Sequence, residues 1–318
     1  MSQDATADLE AEILQLPGRQ SLEMGVLRSL SRRADLPAGV RCALHLAAMG
    51  CTGTLVWLAQ NSWATMIPAM ALHGATLVTM FAPMHECVHK TAFRTPWLNN
   101  VVGWVAGVLC FYNFNFYRRY HTWHHRYTQD PKRDPELSEP KPATITEYVL
   151  HISGIPFWLA KPRELVMFAL GRLSQYPYIP PQSRREIAWS ARAQLGVYLA
   201  VVAGSVALQT PLAVWYWFLP AVLAEPLLRA LLIVEHTGCS EDANGLTNTR
   251  TTLASLPIRF LMWNMPFHAE HHLYPSIPFF RLPAAHENLR QRLAHIAPSY
   301  PRANYEVVRR LGCADDGD

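Results

Sequence analysis

The histidines of this chain are concentrated in three short windows, and imidazole is a common ligand for transition metals. The windows have the sequences HECVH, HTWHH and HAEHH, and they hold eight of the 14 histidines. On a helix, residues three and four apart share one face, so each window presents two or three imidazoles side by side. Eight imidazoles exceed what one metal ion coordinates, so the pattern predicts a site for two ions. The candidate ligands are His85, His89, His121, His124, His125, His268, His271 and His272.

Five further residues lie close enough in sequence to take part in such a site. His236 follows a long apolar run by two residues, and we expect it to be a ninth ligand. Asn264 precedes the third window by four residues, where it either bonds a ligand or a metal-bound water or simply begins a helix. Acceptors that orient ligand imidazoles are common around metals, and Glu86, Asp130 and Asp134 are the candidates, with ordinary surface or turn roles as the alternative.

The composition places this site at a membrane. Half of the residues are hydrophobic and only 16% are charged, against roughly 25% charged in an average soluble domain. The apolar residues form four runs, each near the roughly 20 residues that cross a bilayer. Their length and low charge disfavour the alternative, which is buried helices of a large soluble protein. The runs extend from Ala43 to Ala59, from Ala64 to Met84, from Ala193 to Gln209 and from Leu212 to Val234.

Short connections pair these runs into two hairpins, so both termini and the middle segment fall on one face of the membrane. Lysine and arginine number 5 before Ala43, 14 from His85 to Arg192 and 8 after Val234, whereas neither hairpin loop has any. By the positive-inside bias, the charged face is cytoplasmic. All three histidine windows lie on that face. The net charge of +4 therefore reflects membrane orientation, and we predict no nucleic-acid partner.

We therefore predict an all-α integral membrane protein with four transmembrane helices in two hairpins and a cytoplasmic helical cap that holds a histidine-rich di-metal site. The aromatic-rich segment from Trp97 to Tyr117 should lie in the membrane interface, because a fifth span would put the second window on the opposite face. One domain would cover residues 1–318, with a cytoplasmic N-terminal segment at 1–41, hairpins at 43–84 and 193–234, and the cap at 85–192 and 235–318.

Polar residues inside the apolar runs have structural explanations. Glu225 and Arg229 are four residues apart and are expected to form an ion pair, although intramembrane charges also serve substrates. We expect His45 and His73 to pack within the spans, and we expect His151, His286 and His295 to be solvated or capping residues. The acidic N-terminus lacks the pattern of a cleaved signal peptide, and the six cysteines show no CxxC spacing, which favours reduced thiols.

The window HECVH also matches the HExxH pattern of zinc proteases, but that interpretation leaves both HxxHH windows without a role. Zinc has no redox chemistry, whereas iron with nitrogen ligands and an open position activates dioxygen. A centre beneath a membrane suits an unactivated C–H bond in a lipid chain. The residues thus predict a membrane non-haem di-iron oxygenase and leave open desaturation or hydroxylation. A non-catalytic metal or haem protein is disfavoured, because the windows lie outside the spans.

The order HxxxH, HxxHH, isolated histidine, HxxHH resembles that of the integral-membrane fatty acid desaturase family, which includes related hydroxylases and carotenoid ketolases. The resemblance extends from His85 to about Leu289, and HTWHHRYTQDPKRDPEL and WNMPFHAEHHLYPSIP are similar to bacterial members. It implies four spans, a cytoplasmic cap and a di-iron centre held by the eight window histidines and His236. Stearoyl-type members have an asparagine where this chain has Leu232, and here Glu235 adjoins the isolated histidine.

The expected function is that of an acyl-lipid or acyl-thioester desaturase, with a hydroxylase or ketolase of lipid, alkane or carotenoid as the alternative. The cofactors would be two iron ions (Fe2+/Fe3+), with dioxygen as co-substrate. The chain has no haem or iron–sulfur module, so a separate electron carrier, such as a ferredoxin or a small cytochrome, is required. We expect an acidic carrier to dock on basic residues of the cytoplasmic face, at Arg118, Arg119 and Arg126.

Overall fold

The protein is described by a computed structural model that covers residues 21–138 and 140–315. This part of the chain is mostly helical, and its sheet consists of two short strands. In chain order, the helices are α1 (Met24–Leu30), α2 (Asp35–Leu58), α3 (Trp63–Val78), α4 (Phe81–Val88), α5 (Pro96–Leu109), α6 (Phe114–Tyr127), α7 (Ile145–Ile152), α8 (Ile155–Ala169), α9 (Pro181–Ala207), α10 (Leu219–Leu232), α11 (Leu256–Leu261), α12 (His268–Leu273), α13 (Leu282–Leu289) and α14 (Tyr300–Asp315).

Three helical stretches are long and apolar enough to cross a membrane. They are Asp35–Leu58, Trp63–Val88, which joins α3 to α4, and Pro181–Ala207. Large apolar side chains on the first and third stretches are exposed, including Trp57 and Val206. Contiguous exposed apolar surface of this kind is unstable in water. The structure therefore agrees with the predicted membrane protein in class and in three of its four apolar runs.

The fourth predicted run is helical but irregular. A π-helical turn at Val214–Phe218 leads into α10, and Pro220 and Pro226 lie within that helix. Proline lacks a backbone N–H and interrupts the hydrogen-bond ladder, which accounts for a local departure from α geometry. The helix packs closely on α3, because a Cβ atom on Gly74 would lie 1.9 Å from the Pro220 carbonyl oxygen. This run is thus a kinked helix held against its neighbour and is not among the three uninterrupted spans.

The segment predicted to lie in the interface contains α5 and the start of α6. The 14 residues of α5 extend about 21 Å at 1.5 Å per residue, which is short of the roughly 30 Å hydrocarbon core. A Cβ atom on Gly103 would lie 2.3 Å from the ring of Phe114 and 2.8 Å from Cys87, so α5 packs tightly on α4 and α6. Asn113 caps α6 by accepting a hydrogen bond from the Phe116 amide at 2.9 Å.

The C-terminal part folds back over the ends of these helices. Strand β1 (Thr251–Thr252) pairs in parallel with β2 (Ile296–Ala297), and α11 to α13 lie between them in sequence. The Thr252 amide also donates to the Pro266 carbonyl oxygen at 2.9 Å. These hydrogen bonds hold the loop that precedes α12 and so fix the position of the third histidine window.

Polar side chains buried between the membrane helices are paired as the sequence predicts. Arg229 donates to Glu225 at 2.6 Å, four residues earlier on α10. His45 lies 2.9 Å from the Thr76 carbonyl oxygen, and His73 lies 2.9 Å from the Thr52 hydroxyl. Such partners make buried polar groups tolerable in an apolar environment. These two histidines are therefore packing residues of the helical bundle.

Candidate metal centre

Three helices and one loop deliver the predicted histidines to one buried place. Helix α4 supplies His85 and ends at His89, α6 supplies three imidazoles, and α12 supplies three more. His236 arrives on the loop that follows α10. Residues far apart in sequence become neighbours, since the rings of His85 and His271 have centroids 4.7 Å apart. The nine candidate ligands therefore form one cluster.

The cluster divides into two groups by distance. In the first group, one ring nitrogen from each of five histidines lies within 4.8 Å of the others. This group takes both histidines of HECVH together with residues from the other two windows. HECVH is thus part of a larger centre and does not stand alone as a protease motif. The members of the first group are His85, His89, His121, His125 and His271.

The second group consists of His124, His236 and His272, whose ring nitrogens also lie within 4.8 Å of one another. The Nε2 atoms of His124 and His236 are 3.2 Å apart. His268 adjoins this group, because its Nε2 is also 3.2 Å from His236 Nε2. The nine predicted histidines therefore all lie within the two groups or directly beside the second.

The hydrogen bonding of these imidazoles fits metal ions. The Nε2 atoms of His85, His89 and His271 and the Nδ1 atom of His268 are buried and have no hydrogen-bond partner among the described residues. Buried polar atoms are normally paired, so a set of orphaned nitrogens on one cluster requires another ligand. The Nδ1 of His236 lies 3.2 Å from the Asn248 carbonyl oxygen and donates to it, which leaves its Nε2 lone pair for a metal.

Burial also sets the protonation of the centre. Burial lowers the pKa of His121, His125 and His271 well below the usual imidazole value, and the neighbouring histidines lower it further. These rings are therefore neutral at neutral pH, which is the state that coordinates a metal. For His124, burial lowers the pKa, but the carboxylates of Glu136 and Asp134 outweigh that effect and raise it to about 9. A metal ion at His124 must displace that proton.

Asp134 occupies the position expected of a residue that orients a ligand. Its Oδ1 accepts a hydrogen bond from His124 Nδ1 at 2.9 Å, and its Oδ2 accepts from the Gln129 amide at 2.8 Å. A carboxylate behind a metal-facing imidazole fixes the ring and increases its basicity. The short Pro-rich loop after α6 thus turns back to buttress the helix that precedes it.

The other three predicted orienting residues contact no imidazole in the described part of the chain. Glu86 accepts from Thr91 Oγ1 at 2.7 Å and from the Phe279 amide at 3.1 Å, so it connects α4 to the C-terminal segment. Asp130 pairs with Arg133 and shapes an exposed turn. Asn264, in a left-handed conformation, donates to the Phe279 carbonyl oxygen at 3.0 Å. Their described partners are Thr91, Arg133 and the backbone of Phe279, so an orienting role for these three residues stays a prediction.

Sequence analysis missed a buried pair behind the third window. Glu270 is fully buried, accepts from Thr251 Oγ1 at 2.5 Å and contacts His286 Nδ1. His286 is only 8% exposed, so the prediction that it is solvated is wrong. Within HAEHH, the helical offset shows only that Glu270 points away from the ligand histidines, and its burial depends on the tertiary fold. The pair ties α12 to β1 and α13.

Two glutamates that the sequence analysis did not place border the second group. Glu136 Oε2 lies 3.1 Å from His124 Nε2, and Glu235 Oε2 lies 3.3 Å from His268 Nε2. Burial raises the pKa of Glu235 well above the usual carboxyl value, and the charge of Glu136 raises it further. Thr128 Oγ1 lies 3.2 Å from His272 Nδ1. The second group is therefore surrounded by oxygen atoms, whereas the members of the first group are all imidazoles.

The fold and the centre define a helical membrane protein with a histidine-rich site suited to two metal ions. The family model described as fatty acid desaturase matches residues 61–303 of the chain. The protein belongs to the fatty acid desaturase family. It is accordingly a membrane-associated oxidoreductase that acts on a lipid, and the family predicted from the order of the histidine motifs is confirmed.

Individual relatives agree with the family. The chain is 27% identical over 288 residues to an sn-1 oleoyl-lipid 12-desaturase of Picosynechococcus, and the aligned region covers 83% of this chain and 80% of the relative. It is 25% identical over 242 residues to a Synechocystis protein of the same name, covering 69% and 66% of the two chains. A zeaxanthin 4-ketolase of Chlamydomonas reinhardtii is 25% identical over 285 residues, covering 81% and 55%. Desaturation is the activity that these similarities favour.

Proposed function

We propose that the protein is a four-span di-iron desaturase that introduces a double bond into the acyl chain of a membrane lipid, with its centre on the cytoplasmic face. The observation that carries this proposal is the convergence of nine histidines, in the order typical of the family, into two adjoining groups with orphaned buried nitrogens. An acyl lipid is preferred to a thioester, because two similar proteins are named oleoyl-lipid desaturases.

Each group would hold one iron ion. The first group supplies five imidazoles, and the second supplies His124, His236 and His272, with His268 beside them. Bound iron supplies the activation of dioxygen that breaks an unactivated C–H bond, which zinc cannot do. Around the ions, Asp134 orients His124, and the Glu270–His286 pair holds α12, which supplies ligands to both groups.

Aromatic side chains line the membrane side of the first group. Tyr117 stacks on His121 with a centroid distance of 5.1 Å and an interplanar angle of 11°. Phe81 lies 6.0 Å from His85 and 5.4 Å from Tyr117. This packing excludes water from the side on which an acyl chain would approach, and exclusion of water suppresses side reactions of the oxidant.

The proposed topology follows from the centre itself. His85 and His89 lie at the end of the second span, and the histidines of α6 meet them in the first group. Residues 96–127 must therefore leave and return on the same side of the membrane. The further spans would be α2, α9 and the kinked helix of residues 212–232. The basic residues then gather on the side of the centre, which favours a cytoplasmic centre. The proposed domain covers residues 1–318.

Electrons would come from a separate carrier, such as a ferredoxin or a small cytochrome. A groove on the outer face of α6 is lined by Arg119, Trp123, Arg126 and Tyr178, and we call it the basic groove. The groove lies on the face of α6 opposite its three ligand histidines, and Trp123 immediately precedes His124 in the helix. Arg118, the third predicted docking residue, instead donates to Asn100 at 2.6 Å and connects α6 to α5.

The test is metal analysis together with lipid profiling of a host that expresses the chain. We expect two irons per chain and a new double bond in the acyl lipids, both lost in His271→Ala. Mass spectrometry separates the alternatives. Loss of two hydrogens without gain of oxygen indicates desaturation, gain of one oxygen indicates a hydroxylase, and gain of one oxygen with loss of two hydrogens indicates a ketolase. Unchanged lipids with a single zinc per chain would overturn the proposal.

A further inference from the structure

One carboxylate lies beside His268, the imidazole that adjoins the second group, and no described partner explains its burial. Glu235 directly precedes His236, and its side chain is buried, with the residue 8% exposed. Its Oε2 lies 3.3 Å from His268 Nε2. Its Oε1 is buried and has no hydrogen-bond partner among the described residues. An unsatisfied buried carboxylate oxygen is costly, and a bound cation would satisfy it.

The atoms around Glu235 show where that cation would sit. His268 Nε2, which is closest to the carboxylate, is also 3.2 Å from His236 Nε2. His236 Nε2 in turn lies 3.2 Å from His124 Nε2. Three imidazole nitrogens and one carboxylate oxygen thus converge on one small region. No lysine or arginine forms an ion pair with Glu235 in the part of the chain that the structure describes.

We propose that Glu235 is an oxygen ligand of the metal ion in the second group. This inference rests on the proposed function, because it concerns the same pair of ions. It makes the two ions chemically different: the first would be held by imidazoles alone, and the second by imidazoles and a carboxylate. Leu232, one helical turn before His236, has no donor atom, whereas Glu235 offers a carboxylate oxygen next to His236.

Charge and ligand type both favour this assignment. Two divalent ions among neutral imidazoles leave a large uncompensated positive charge in a buried place, and an anionic ligand offsets part of it. Carboxylate oxygen is also a harder donor than imidazole nitrogen, so it favours the ferric over the ferrous state of the iron that it binds. The second ion would therefore be the more easily oxidised of the two.

The experiment compares Glu235→Gln with Glu241→Gln in the full-length, iron-loaded enzyme in detergent. Glu241 is the matched control, because it lies exposed in the same loop. Mössbauer spectra of ⁵⁷Fe-enriched parent should show two different iron sites of equal area. In Glu235→Gln we expect the spectrum of one site to shift or disappear and that of the other to stay. A chelator should remove the iron of the altered site roughly tenfold faster than in the parent. Glu241→Gln should match the parent.

Spectra and chelation rates of Glu235→Gln that equal those of the parent would overturn the assignment. If Glu235→Gln does not fold, Glu235→Asp provides the same comparison, since a shortened ligand must alter one iron site and an unchanged pair of sites contradicts ligation. Failure of the proposed function is distinguishable. It would appear in the parent itself as fewer than two irons or as unchanged lipids, whatever the variants show.

Discussion

The two histidine groups use the same kind of side chain, but the protein positions them by different means. The first group depends on helix packing: His85 and His89 lie at the end of a membrane helix, and α5 closes against that helix at Gly103. The second group depends on hydrogen bonds, since Asp134 holds His124, and the Asn248 carbonyl oxygen holds His236. Changes to packing and changes to polar partners should therefore affect different ions.

The side chains that surround the two groups also differ. Tyr117 and Phe81 cover the first group with aromatic rings. The second group faces a loop in which Glu136 is partly exposed beside His124. A group that depends on apolar packing and one that depends on charges suit different tasks, namely contact with the acyl chain and contact with the source of electrons. Variants that act on one group alone can break or sharpen this comparison.

The largest effect is expected from removing His271, a candidate ligand on α12 that packs against the two histidines of HECVH. His271 lies 4.7 Å from the His85 ring and 4.6 Å from the His89 ring, between α12 and α4. We expect His271→Ala to reduce desaturated lipid to the level of a host without the protein and to lower bound iron. Lipid profiling and iron analysis measure both, with His151→Ala, outside the two groups, as control. Full activity with two irons retained would show that the first group is not a ligand set.

Removing the charge behind His124 should affect the second group alone. In Asp134→Asn, His124 loses its anionic acceptor, and loss of such a partner typically weakens metal binding about 10- to 100-fold. We expect one iron to remain and one to be lost on dialysis, with activity falling in parallel. Asp130→Asn is the matched control, because Asp130 lies in the same loop but pairs with Arg133. Equal behaviour of the two variants would contradict the orienting role of Asp134.

A change at the element shared by both groups should weaken them together. Glu270 accepts from Thr251 and contacts His286, while α12 presents His271 to the first group and His272 to the second. Hydrogen bonds to buried charged groups are worth about 1.5–3 kcal/mol, so we expect Glu270→Gln to lower the thermal unfolding midpoint and to reduce both irons equally. Exposed Glu287→Gln is the control. Selective loss of one iron would show that α12 does not couple the groups.

Overpacking at Gly103 on α5 should affect the first group, with a smaller effect than the changes described above. A methyl group at Gly103 would overlap the ring of Phe114 at 2.3 Å, whereas one at Gly196 meets nothing within 4 Å. Overpacking costs typically about 1–3 kcal/mol, so Gly103→Ala should lower the unfolding midpoint and loosen the first iron before the second. Gly196→Ala on α9 should be neutral or slightly stabilising. Mössbauer spectra after partial chelation identify the iron that is lost, and preferential loss of the second would reverse the comparison.

Sequence alone predicts those features that depend on spacing within one element. The histidine windows, the Glu225–Arg229 pair and three of the apolar runs all follow from helical periodicity and run length. Hydropathy does not show the π turn at Val214–Phe218, because it measures the composition of a run and not the hydrogen bonding of its backbone. The family resemblance added the order of the motifs, which no single window provides.

Features that depend on tertiary contacts could not be predicted from the sequence. Asp130 and Asp134 are both acidic and both follow the second window, yet only Asp134 reaches an imidazole, because the loop turns between them. Glu86 and Glu270 each lie inside a window, but helical offset directs both toward other parts of the core. The pairing of Glu270 with His286 requires the fold of α12 against α13, which no local pattern encodes.

The smallest effect is expected in the basic groove, on the surface of α6 away from its histidines. Arg126 lies in the basic groove on the side of α6 opposite the histidines. For an acidic electron carrier, Arg126→Glu should raise the KM for the carrier by about 3- to 10-fold at low salt. The difference should shrink as salt screens the charges. Turnover with a small chemical reductant should not change, because the iron ligands are intact. Arg290→Glu, on an exposed side chain away from the groove, controls for net charge. An equal rise in KM in both variants would mean that overall charge, and not docking in the basic groove, governs the encounter.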